Sequence, residues 1–287
     1  MHESILAFRK RRYLWVALAL SGLSVVAYLL HDPQEPPNGG TWLGYALGSL
    51  GALLIVWLAA FGIRKRRYSS TTGTLQGWLS AHVYLGVALL VVVLLHAGFQ
   101  VGWNIHTLAL VLMVLVIASG IYGTFIYLKY PERLSENRGG ASRSELLDQM
   151  TDIDRRSQRI AEKLPDEYRE LVTSGVQRTA LGSTLWQRLR KEDNSRIQIN
   201  GQIVANPGQE AAMDWLAEQQ SRADASTATT IAELSALLRN KRQILRQVKE
   251  DLRLQAGIEI WLYAHVPLSA GLLMALIAHF VTVFLYW

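Results

Sequence analysis

The chain has 287 residues, half of them hydrophobic, with no cysteine and a net charge of +6. The lack of cysteine excludes disulfides, thiol nucleophiles and Cys-ligated iron–sulfur clusters. The charge does not make it a nucleic-acid binder. Lys129–Gly257 holds 21 basic against 19 acidic residues, and the excess sits in Arg9–Arg12 and Arg64–Arg67. Both short clusters lie at the ends of apolar runs, where anionic lipid headgroups attract basic residues.

Five apolar runs follow one another: about Tyr13–Leu30, Trp42–Ile63, Trp78–Phe99, Ile105–Leu128 and Ile260–Trp287. Each approaches or exceeds the roughly 20 residues a helix needs to cross a hydrocarbon core of about 30 Å. No Asp, Glu, Lys or Arg stands between Tyr68 and Leu128. The runs predict five transmembrane helices, because barrel strands would be shorter and would alternate polar with apolar. The loops His31–Thr41 and Gln100–Asn104 carry no basic residue. Positive loops stay in the cytoplasm. The expected topology therefore has the N-terminus and residues 129–257 cytoplasmic and the C-terminus on the outer side of an inner (plasma) membrane. Residues 1–128 supply four helices and 258–287 the fifth. The first run ends in "LLHDPQEPP" without a small-residue cleavage site, so it reads as an uncleaved helix rather than a signal peptide.

The insertion 129–257 reads as mainly helical. Ser142 and Glu145 form a capping box. Leu146, Met150, Ile153, Ile160 and Leu164 then follow a seven-residue repeat, with Ser157 in a gap. Thr230 and Glu233 repeat the capping signature ahead of Ile231, Leu234, Leu238, Leu245, Val248 and Leu252, with Lys241 in the gap. The two stripes predict an antiparallel helical hairpin, whose second helix breaks near Gly257 before the fifth apolar run. "RIQINGQIV" places Asn200-Gly201 between alternating residues and predicts a small β-hairpin. Shorter helices are expected around Trp186 and Trp215. The insertion has no His and no Gly-rich nucleotide fingerprint. "GTLQGW" at Gly73–Trp78 lacks the Lys-Ser/Thr of a phosphate loop. The fold class is thus an all-α integral membrane protein: a five-helix bundle with a helical cytoplasmic insertion.

The third and fifth runs share a pattern. "WLSAHV" and "WLYAHV" each open a run, and a second histidine follows the first by fourteen residues: His82 and His96, His265 and His279. Fourteen residues turn a helix through about 1,400°, so both histidines fall within about 40° on one face, roughly 21 Å apart. Ionisable residues at membrane depth are costly and mark functional sites. The topology makes both helices run outward, so His82 is level with His265 and His96 with His279. A tetrahedral metal site would want four ligands, and no Cys or membrane carboxylate supplies them. Haem needs only two axial imidazoles. Gly86 and Ser269 fall four residues after the first His of each run, and Gly98 two after His96, so small residues would let a flat macrocycle approach; the same residues also suit ordinary helix packing. Without Cys the haems would be non-covalent and b-type.

On these four histidines the chain resembles the two-haem bis-histidine membrane cytochromes b. The quinol–cytochrome c reductase cytochromes b share the paired spacing. The ferric-reductase and NADPH-oxidase core is similar in taking its ligands from the third and fifth helices. The resemblance covers about 78–128 and 260–287 and implies that His82, His96, His265 and His279 are axial ligands. The chain departs from those families in having five helices, an insertion before the fifth, and no flavin or nicotinamide domain after it.

The resemblance implies an electron-carrying subunit of an oxidoreductase complex of the respiratory kind, between a cytoplasmic donor or quinol and an outer acceptor or quinone. Membrane lipid, a cytoplasmic redox protein docking on 129–257 and a periplasmic electron acceptor are the expected partners. His106, Trp103 and Asn104 lie at the level of the outer haem, where they would meet a propionate or quinone or serve as interfacial anchors. Tyr68 and Arg64–Arg67 lie at the inner level. Pro267 removes a hydrogen bond to the Tyr263 carbonyl and stands where the other copy has Tyr84. The rival class is a non-redox membrane scaffold that recruits partners through its helical hairpin, with histidines merely bonding between helices.

Overall fold

The computed structural model describes residues 4–32, 38–67, 73–138 and 140–285. It divides into two compact units, Met1–Leu128 with Trp261–Trp287, and Lys129–Ile260. Five helices are long and apolar enough to cross a bilayer: α1 (Phe8–Leu30), α2 (Trp42–Arg66), α3 (Leu75–His96), α4 (Ile105–Arg138) and α9 (Ala225–Leu285). The other elements are α5 (Arg143–Ala161), α6 (Asp166–Gln177), α7 (Leu185–Arg190), β1 (Arg196–Ile199), β2 (Gln202–Ala205) and α8 (Glu210–Arg222).

In the first unit the helices start where side chains can satisfy free backbone donors. Thr41 and Thr74 accept hydrogen bonds from the Gly44 and Gly77 N–H groups, the cap that opens α2 and α3. Asn104 accepts from Thr107 N–H at the start of α4. α3 ends where Gly98 and Phe99 take left-handed φ values of 56° and 59°, the usual way to close the last turn. Leu43 and Leu47 of α2 pack on Val92 and Leu95 of α3. Ile55, Leu89, Met113 and Leu272 form a second cluster in which α2, α3, α4 and α9 meet. Outward-facing side chains are apolar too: Leu23, Leu29, Leu53, Ile277 and Phe284 are each at least 65% exposed.

In the second unit the Ser142–Glu145 capping box is present. Leu146 and Ile153 of α5 meet Ile244 and Val248 of α9. Arg143 pairs with Asp251, and Asp154 with Lys241, so the two helices run antiparallel. Farther along, Ile160 and Leu164 pack into another core with Ile231, Leu234, Leu238 and Trp215. β1 and β2 pair antiparallel, Ile199 opposite Gln202. The turn between them, Asn200-Gly201, has φ of 50° and 76°, as a two-residue hairpin demands.

Two details differ from the sequence reading. α9 starts at Ala225, not at the Thr230 signature. Asp224 caps it by accepting from Ser226 and Thr227 N–H; the Ser226 hydroxyl, then Thr227 and these N–H groups, hold its carboxyl well below the usual range. Thr230 instead bonds back to the Ser226 carbonyl. α9 also runs unbroken through Gly257 and Pro267. Glycine in a helix costs only about 1 kcal/mol against alanine, which flanking turns offset. The heptad gaps hold buried polar side chains. Ser157 and Lys241 are fully buried, and Lys241 Nζ lies 2.6 Å from Asp154 Oδ1.

Removing one partner of a buried pair leaves an uncompensated charge, at about 3–5 kcal/mol. Asp154→Ala is expected to destabilise the full chain by about that much in chemical denaturation followed by circular dichroism. Replacing both Asp154 and Lys241 by Leu should recover most of the loss.

Asp193 organises the loop before β1. Its carboxylate accepts from Lys249 Nζ at 2.5 Å, Gly208 N–H at 2.7 Å and Ser195 N–H at 3.1 Å. Burial alone would raise its pKa, but these donors outweigh burial and hold it below the ordinary value. A depressed carboxylate gives stability that is present above its unfolded pKa and lost as pH falls through the folded one. The melting temperature should therefore drop as pH falls below about 4, and Asp193→Asn should flatten that dependence while lowering stability at neutral pH.

Candidate functional site

Leu89 lies seven residues after His82 and seven before His96, and Leu272 stands midway between His265 and His279 in the same way. Seven residues leave two side chains within about 20° on one helix face, roughly 10.5 Å apart. Leu89 and Leu272 share one buried cluster. Seven residues farther along both helices, the rings of His96 and His279 stand 6.1 Å apart at 81°. Two matched points fix α3 and α9 as parallel and in register. The four histidines therefore form two levels separated by an apolar layer.

At the first level, His82 Nδ1 lies 3.1 Å from the Leu58 carbonyl of α2, and its ring lies 5.0 Å from that of Phe61. One turn earlier, Trp78 stacks on Trp57 at 5.0 Å and 8°. His265 Nδ1 lies 2.6 Å from Ser119 Oγ of α4. Its ring is 5.3 Å from Trp261, whose indole N–H donates to the Ser119 carbonyl at 2.7 Å. The indole fits because α4 has glycine at position 123: a Cβ there would stand 2.1 Å from the ring. Among the described residues no ring contact or hydrogen bond joins His82 directly to His265.

At the second level, His96 Nδ1 lies 2.7 Å from the Gly44 carbonyl of α2. Gly39 and Gly48 crowd its ring, and a Cβ on Gly48 would come within 2.7 Å of Cε1. His279 Nδ1 meets His106 Nδ1 at 2.5 Å.

All four Nδ1 atoms are engaged, and no Nε2 has a hydrogen-bond partner among the described residues. A carbonyl can only accept, so neutral His82 and His96 carry their proton on Nδ1 and present a lone pair at Nε2. Ser119 Oγ donates its own hydrogen to the Val116 carbonyl at 2.9 Å. It therefore accepts from His265 Nδ1–H, and His265 has the same tautomer. Imidazoles that ligate a metal are oriented in this way by a partner on the other nitrogen.

At the second level the ring spacing suits a group bound by two imidazoles. A metal about 2 Å from each ligating nitrogen sets two ring centroids about 6 Å apart, close to the His96–His279 separation of 6.1 Å. No group of three or more His, Cys, Asp or Glu side chains gathers as a metal site among the described residues. A Cβ added at Gly86, one turn after His82, would meet nothing within 4 Å, which leaves room beside the first level.

The remaining residues singled out by sequence have these places. Gly98 closes the end of α3. Ser269 Oγ donates to the His265 carbonyl at 2.8 Å. His106 bonds His279, Asn104 caps α4, and Trp103 is fully exposed. Tyr84 donates its hydroxyl to the Leu6 carbonyl at 2.8 Å, and Pro267 lies inside α9. Arg64 donates to the Arg67 and Gly73 carbonyls. Tyr68 lies outside the described residues.

The sequence reading missed the contributions of α2 and α4: Gly44, Gly48 and Leu58, then Ser119, Gly120 and Gly123. The Gly44-x-x-x-Gly48 spacing is the available signal, since small residues four apart let another helix approach closely. Protein-family models, curated proteins and solved structures were compared with this chain, and none matches it.

Gly48→Val should displace the His96 ring and cost about 1–3 kcal/mol by overpacking, read as a lower melting temperature. Gly62→Ala, on the same helix with nothing within 4 Å of its Cβ, should leave it unchanged or raise it.

Proposed function

We propose that the chain is a two-haem membrane cytochrome b that carries electrons across a bilayer. His82 and His265 hold one b-type haem, and His96 and His279 hold the other. The observation that carries this reading is the pair of parallel helices presenting four oriented histidines with free Nε2 atoms at two levels. A haem held by two imidazoles supplies a one-electron centre with no open coordination position. The protein's own part is to hold the imidazoles in the ligating tautomer, to keep water out with the Leu89–Leu272 layer, and to separate the levels by roughly 21 Å.

The membrane setting rests on the five apolar helices, their outward-facing Leu, Ile and Phe side chains, and the basic clusters at Arg9–Arg12 and Arg64–Arg67. Positive residues stay cytoplasmic, so the His82/His265 level is the inner one and the C-terminus lies outside. The donor is a cytoplasmic redox protein docked on 129–257, or a quinol. The acceptor is a periplasmic protein or a quinone.

The bonds from each Nδ1 to a neighbouring helix would also serve a non-redox scaffold whose histidines only tie helices together. The Nε2 atoms, which have no hydrogen-bond partner among the described residues, favour the haem reading, because a histidine that only ties helices together gains by engaging both nitrogens.

Purified full-length protein decides between them. Two low-spin b-type haems per chain are expected, with His96→Ala losing one and keeping the other. A colourless protein, or His96→Ala with an unaltered spectrum, would overturn the assignment.

A further inference from the structure

The four ligands proposed above are not supported alike. On α3, His82 and His96 are oriented by backbone carbonyls, Leu58 and Gly44. These acceptors belong to the main chain of α2 and survive most side-chain substitutions. On α9 the partners are side chains of α4: Ser119 for His265 and His106 for His279.

Ser119 is the more tightly built of the two. Its hydroxyl hydrogen is committed to the Val116 carbonyl at 2.9 Å, which turns an oxygen lone pair toward His265 Nδ1 at 2.6 Å. Its own carbonyl is held by the Trp261 indole at 2.7 Å. That indole lies over Gly123, where any Cβ would overlap it. Gly120 completes the cradle, its Cβ direction pointing at His265 Cε1 from 3.6 Å. Trp261 and His265 stand one helical turn apart, so a single turn of α9 is seated in one turn of α4.

We propose that Ser119 is the positioning residue of the first-level centre: it fixes the orientation and basicity of His265 and thereby sets that centre's reduction potential apart from the second. The inference rests on the haem reading above. A hydrogen bond accepted from Nδ1–H raises electron density at Nε2 and makes the imidazole a better donor to an oxidised metal. Losing it makes the reduced form relatively easier to reach, so the potential rises. His82, tied to a main-chain carbonyl, has no corresponding side-chain control.

The test is a spectroscopic redox titration of the full-length protein with Ser119→Ala and Ser119→Thr. Each variant is also made in a His96→Ala chain, which retains the first-level centre alone. Ser119→Ala should move one potential to a more positive value and leave the other in place. Ser119→Thr, which keeps the hydroxyl, should move neither, and the Ser119→Ala shift should persist in the His96→Ala chain. If Ser119→Ala does not accumulate, Ser119→Cys substitutes a weak sulfur acceptor and should shift the same centre. Unmoved potentials in Ser119→Ala would overturn the proposal. So would an equal shift in Ser119→Thr, or a shift that disappears with His96→Ala. A wild-type protein without haem would overturn the reading on which it rests.

Discussion

An imidazole among apolar helices has two nitrogens to satisfy and few polar groups to satisfy them with. The arrangement of the first unit follows from how that demand is met. Each of the four histidines on α3 and α9 has its Nδ1 matched to a polar group on a neighbouring helix, and no Nε2 has a partner among the described residues. A nitrogen that faces only apolar groups costs free energy unless something occupies it. On the proposed reading, the four of them, on one face of each of two parallel helices, are where the haems are held.

The helices divide the work accordingly. α3 and α9 carry the imidazoles, while α2 and α4 orient them. The orienting helices approach closely because they offer glycine where a side chain would intrude: Gly48 against His96, and Gly123 against Trp261. The middle layer, Ile55, Leu89, Met113 and Leu272, takes one residue from each of the four helices. That layer keeps α3 and α9 in register, and register turns equal spacing in the sequence into equal level in the structure. On the proposed reading it also separates two redox centres with apolar matter, so that electrons can pass where water and ions do not.

Much of this was legible because it is local. The length of the apolar runs names the five long helices. Asn200-Gly201 names its hairpin, since few other dipeptides tolerate positive φ at both positions. The Trp-Leu-x-Ala-His-Val repeat names α3 and α9 as related. What stayed hidden depends on contacts between segments distant in sequence. No local pattern says that Gly44 presents its carbonyl to His96 or that Ser119 meets His265. Lys241 looked like a flaw in an apolar stripe, and its meaning came only with Asp154 on the opposing helix. The Thr230 signature misled because Asp224, six residues earlier, opens the helix first and leaves Thr230 inside it. Gly257 did not break α9 because a helix-weakening residue ends a helix only where nothing else sustains it.

The most direct measurement is transmembrane electron transfer in sealed vesicles. The purified protein is reconstituted with ferricyanide trapped inside and a membrane-impermeant reductant added outside. The account predicts that trapped ferricyanide is reduced in proportion to the protein present, and that replacing either His82 or His279 by Ala abolishes the reaction. Reduction no faster than in protein-free vesicles, or a rate unchanged by either substitution, would contradict it.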